Sequence, residues 1–165
     1  MRPFSLHALT LQMGLEAGVV DRAEILSWAD EMLKKHPYDD DIANLALSHS
    51  ASDKELCALL GKVIDFRDEL TAMRLVAARI HSELVRTPAA AVEFTGFLEA
   101  FSGRHIDSLP SEMEFMLGVD DVFQLARQGV YSTVEHETKE LMGNLASIPM
   151  QGEQSVPPKS DRAGG

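Results

Sequence analysis

Six histidines (His7, His36, His49, His81, His105 and His136), several runs of carboxylates and one cysteine, Cys57, are the residues of this 165-residue chain whose chemistry could extend beyond packing. A metal centre needs histidine, cysteine or carboxylate ligands converging at coordination spacing. The histidines instead fall one to a segment, and no His-Glu-x-x-His pattern occurs. The Glu-x-x-His pairs of a di-iron bundle are absent too, because Ala78 and Thr133 stand three residues before His81 and His136. His136 and Glu140 lie four apart on one helical face and read as a surface polar pair. A single cysteine excludes a disulfide or a two-cysteine metal site within the chain and fits a reducing compartment. Cys57 lies in an apolar helical run, where a thiol is buried and unreactive. No cofactor or metal is expected.

The carboxylate runs Asp39-Asp40-Asp41 and Asp120-Asp121 each stand before or within the start of an apolar periodic segment. Negative charge is favourable there because the first backbone N–H groups of a helix lack partners. The glycine-centred calcium loop is missing, so helix starting is the plainer account of both runs. Asp65, Asp68 and Glu69 read the same way. No G-x-S-x-G elbow, P-loop or G-x-G-x-x-G turn occurs, which disfavours the common nucleophile and nucleotide folds.

Charge is the more suggestive property. With 26 acidic and 15 basic residues the formal net charge is −11, a balance that repels phosphate backbones and anionic membrane surfaces. It is also unevenly placed. Glu16 to Asp41 carries eight acidic and three basic residues and Glu93 to Asp121 seven and one, whereas Lys62 to Arg86 carries four and five. If the acidic segments fold onto one side of a basic central helix, an anionic face results, and Asp39, Asp40, Asp41, Asp120 and Asp121 become the candidates for steering a cationic partner.

The elements that must position these residues are helical. From Asp65 to Arg86, Phe66, Leu70, Met73, Ala77, Ile80 and Leu84 recur at spacings of four and three, which aligns them on one face of a long helix near the centre of the fold. Ser5 is placed to cap a first helix carrying Leu6, Leu9 and Met13, with Gly18 ending it. Asp21 with Glu24 opens a second, bearing Ile25, Trp28, Ala29 and Met32, and Asp39 to Asp41 a third over Ile42 to Leu47. Ser52 with Glu55 forms a capping box for a fourth over Leu56, Leu59, Leu60 and Val63. Thr87-Pro88 starts an element whose face is Phe94, Phe97, Leu98 and Phe101. Ser108 or Ser111 restarts helix through Met116, and Asp120 caps a segment with Val122, Leu125 and Ala126 inward. Ser132 with Glu135 caps a last helix carrying Val134, Thr138, Leu141 and Leu145.

No sustained period-two alternation or hairpin dipeptide signals a strand. The expectation is an all-α, single-domain helical bundle or irregular antiparallel array of about eight helices over residues 1–148, followed by a flexible polar tail over 149–165. No stretch reaches the ~20 apolar residues of a membrane span, and the start of the chain lacks a signal-peptide core. These properties lead to a non-enzymatic, protein-binding module in a bacterial-type cytoplasm. Its most concrete form is a neutralising inhibitor or immunity protein that docks on a basic toxin, with no nucleic-acid or membrane partner. The alternatives are a small enzyme whose carboxylates and histidines meet only in the fold, and a homo-oligomeric, for instance dimeric, structural or regulatory module.

Overall fold

A computed structural model describes residues 2–150, and the expected tail beyond Met150 lies outside the described residues. Among the described residues there are eight α-helices, two 3₁₀ segments and no strand, so the fold is an all-helical array. The helices are α1 Ser5–Ala17, α2 Arg22–Lys35, α3 Asp40–Ala46, α4 Asp53–Val63, α5 Glu69–Arg86, α6 Ala91–Arg104, α7 Val119–Arg127 and α8 Val134–Ala146. The 3₁₀ segments Pro88–Ala90 and Ser111–Met116 lead into α6 and connect it to α7.

Side chains expected to start helices do so at α2, α3 and α4. The Asp21 carboxylate accepts from the Glu24 N–H at 2.8 Å. Ser52 and Glu55 form the reciprocal capping box, with Ser52 N–H donating to the Glu55 carboxylate at 2.7 Å and Glu55 N–H to Ser52 Oγ at 3.3 Å. Gly18 ends α1 with φ of 82°, a left-handed conformation that glycine adopts without a Cβ penalty.

Four starts differ from expectation. Ser5 lies inside α1 and hydrogen-bonds Asp65 rather than its own helix. α5 begins at Glu69, because Asp68 caps it by accepting from the Thr71 N–H at 3.0 Å; Phe66 is left outside the helix and half exposed. Gly118 rather than Asp120 occupies the N-cap position of α7. At α8 the cap is Thr133, which accepts from His136 N–H at 3.2 Å, one residue later than Ser132.

The core has two parts that share one helix. Leu9 and Met13 of α1 pack with Met73, Ile80 and Leu84 of α5, Phe94, Leu98 and Phe101 of α6, Phe123 of α7 and Leu141 and Leu145 of α8. On its other side, Ala8 and Leu11 of α1 pack with Ile25 and Trp28 of α2, Ile42 and Leu45 of α3, and Leu56 and Leu60 of α4. The helix buried on both sides is therefore α1, and α5 buries one face against it. α1 suits this position because Glu16 and His7 are its only titratable residues, so most of its circumference can leave water.

Arginines hold the parts together. Arg79 on α5 pairs with Glu24 on α2 at 2.7 Å. Arg74, also on α5, pairs with Glu112 at 2.7 Å and donates to the Pro149 carbonyl at 3.2 Å, fastening the segment after α8. The basic balance of α5 is spent on acidic residues from both acid-rich segments.

Candidate protein-docking surface

The first carboxylate run is largely engaged inside the molecule. Asp39 accepts from the backbone N–H groups of Asp41 and Ile42, at 3.1 and 3.2 Å, and so starts α3. The Arg2 guanidinium reaches Asp41 at 2.9 Å, Asp39 at 3.4 Å and the Lys62 carbonyl at 3.1 Å. The hydrogen bond to Asp41, reinforced by the charges of Asp39 and Asp65, raises the Arg2 pKa above its ordinary value although burial opposes this. Asp40 is exposed and makes no ion pair among the described residues. These residues line an open groove of about 680 Å³ with Lys35, His36 and Tyr38. Tyr38 is 96% exposed there, and Arg2 and Lys35 offset most of the acidic charge.

The second run is divided. The Asp120 carboxylate accepts from the Thr95 hydroxyl at 2.6 Å and the Gln124 amide at 2.7 Å, while the Asp120 N–H donates to Glu99 at 2.9 Å. Asp120 thereby ties the start of α7 to α6. Asp121, the next residue, is exposed and carries no such bond. The structure does not gather the two runs at one place, since α3 packs on α2 and α4 while α7 packs on α6 and α8. Of the five candidate carboxylates, Asp40 and Asp121 remain available to a partner.

A different surface combines unpaired acid with uncovered apolar groups. α7 buries Val119, Phe123 and Ala126, so Val122 and Leu125, expected inward, stand 43% and 41% exposed. Leu117, just before α7, is 41% exposed. Leu117, Val119, Val122 and Phe123 face Glu137, Glu140 and Leu141 of α8 across a cleft of about 110 Å³. Neither Glu137 nor Glu140 forms an ion pair among the described residues. The opposite flank of α8 differs: there Lys139 pairs with Glu135 at 2.9 Å and holds that carboxylate below its usual pKa range. That flank and Pro88, Ala89 and Met142 border a largely apolar groove of about 540 Å³.

His105 Nε2 donates to Glu69 at 2.8 Å, and the other Glu69 oxygen accepts from Arg67 at 3.2 Å. Arg67 donates to Gln12 at 3.1 Å, and Gln12 to the Cys57 carbonyl at 2.7 Å, so a polar chain crosses from α6 through α5 and α1 to α4. Burial raises the Glu69 pKa, but hydrogen bonds from His105 and Arg67 outweigh it and leave a net lowering. The chain satisfies polar groups at the edge of the core, and neither His81 nor His105 lines any of the grooves above. Burial pushes the Cys57 thiol above its ordinary pKa, which keeps it protonated and weakly nucleophilic. Among the described residues no three histidine, cysteine, aspartate or glutamate side chains converge as metal ligands.

No protein-family model matches the chain, and neither a curated protein nor a solved structure does. Two features of the docking surface differ from the sequence-based expectation. Glu137 and Glu140 are one turn apart beside the buried Leu141, a flank position readable once α8 is drawn as a helix. Of the expected inward residues of α7, Ala126 enters the core, whereas Val122 and Leu125 face outward and Phe123 takes their place.

Proposed function

We propose that the protein is a non-enzymatic, protein-binding module whose partner presents a basic surface. The observation that carries this reading is the cleft between α7 and α8, where exposed aliphatic side chains adjoin unpaired carboxylates. Apolar contact supplies affinity to such a surface, and the surrounding charge steers a cationic partner onto it. With the arginines of α5 engaged internally, the long-range field is left to the surface carboxylates. The concrete form of the proposal is a neutralising inhibitor or immunity protein that occludes a basic toxin or effector in a bacterial-type cytoplasm. No described helix is long and apolar enough to cross a membrane.

Affinity capture from the native cell, with the product of the adjacent gene as prey, tests the proposal. The expected result is a stoichiometric complex whose association rate falls steeply with added salt. Rates indifferent to salt would sink the electrostatic version. The His105 and Glu69 pair supports a second reading, a small helical enzyme, more weakly: Arg67 already holds the carboxylate, and no nucleophile meets the imidazole. A homo-oligomer gains support from exposed Leu117, Val122 and Leu125, but the uncompensated acid beside them opposes pairing of identical faces.

A further inference from the structure

We propose that the cleft between α7 and α8 seats a basic amphipathic segment of the partner, placing one aliphatic side chain between Val122, Phe123 and Leu141 and its lysines or arginines against Glu137 and Glu140. The inference rests on the protein-binding reading above and narrows it to one surface and one kind of partner element. The floor of the cleft is apolar and its volume is about 110 Å³. An apolar cavity of roughly 150 Å³ holds a benzene ring, so this space suits a single aliphatic side chain. Leu125, one turn along α7 from Val122 and exposed outside the cleft, gives a segment with one greasy face a second point of contact.

Charge selects among occupants. Glu137 and Glu140 lie one turn apart along α8, and with neither neutralised internally they ask for cations at similar spacing on the segment that docks. A second copy of this acidic chain would bring carboxylates toward carboxylates, and an anionic membrane or nucleic acid would be repelled. Two larger grooves described above lack this combination. The one at Tyr38 contains its own cations, and the one at Met142 has its carboxylate paired with Lys139.

The test uses the full chain, isotope-labelled, titrated with a synthetic helical peptide of leucine and lysine at amphipathic spacing, and in parallel with the same peptide carrying glutamine for lysine. Amide shift changes should concentrate at residues 115–123 and 137–144 for the lysine peptide and be weak for the glutamine peptide. The double variant E137K/E140K should lower affinity about tenfold while the chain stays folded, with only a small fall in melting temperature because Glu137 lies in the first turn of α8. V122D should weaken binding while the glutamates remain. Salt-sensitive shifts centred on residues 35–41, or spread over the whole surface, would overturn this site while leaving a basic partner in place. Absence of salt-sensitive binding anywhere would overturn both the site and the broader reading.

Discussion

Glu69 illustrates how the same carboxylate chemistry serves stability or function according to what surrounds it. Fixed by His105 and Arg67, it has a pKa below the ordinary 4.5 in the folded chain. A lowered folded-state value means its contribution is fully present above the unfolded pKa and is lost as pH falls through the folded one. Denaturant unfolding from pH 7 downward should therefore show E69Q less stable at neutrality and less sensitive to acid below about pH 4.5, converging on wild type. Parallel curves would remove Glu69 from the acid response. Tyr131 poses the opposite case. It is 98% exposed, so it contributes little packing, yet its φ is 66°, a conformation costly for any residue with a Cβ. Replacement by glycine, Y131G, is expected to raise stability by roughly 1 kcal/mol, as measured by the urea midpoint. A loss of similar size would show that the exposed ring has a structural role.

Among the elements, the end of α1 is closely packed on itself. The N–H groups of Val19 and Val20 both donate to the Gly14 carbonyl, at 2.9 and 3.1 Å, folding the chain back over its own helix. A Cβ at Gly14 would lie 2.4 Å from Val20 Cγ2, and Val20 is buried. In an open helix alanine would be favoured over glycine by about 1 kcal/mol. Here G14A should instead cost roughly 1–3 kcal/mol, and a double-mutant cycle with V20A should recover part of that cost. Additive effects would mean the two side chains do not compete for the same space. Most helices were legible because their signals are local: Asp21, Ser52 and Glu55 act within one turn of themselves, and the spacing of Met73, Ala77, Ile80 and Leu84 marks a buried face. What was not legible depends on distant partners. Nothing near Asp39 and Asp41 reveals that Arg2 will hold them, and periodicity alone carries the α5 stripe back to Phe66 although Asp68 stops the helix short. The two-sided burial of α1 leaves no single-face periodicity to read, because two sets of partners take opposite faces of the helix.

For the whole molecule, the sharing of α1 between two sub-cores predicts one cooperative transition. Leu60 on α4 and Leu141 on α8 are both buried but belong to different sub-cores. L60A and L141A should each cost about 2–5 kcal/mol, and in each variant tryptophan fluorescence and far-ultraviolet dichroism should report the same midpoint. Trp28 belongs to the sub-core of Leu60, so a fluorescence midpoint unmoved by L141A would reveal two independently melting halves. The order of synthesis runs against the order of burial. α1 is made before α4 and α5, the helices that cover its opposite sides, and it carries a single charge to keep it in water while it waits. On a translating ribosome the side of α1 that packs on α4 has no cover until residues through Val63 have emerged, and the side that packs on α5 none until residues through Arg86 have, which leaves this segment open to chaperone contact and to aggregation when synthesis stalls.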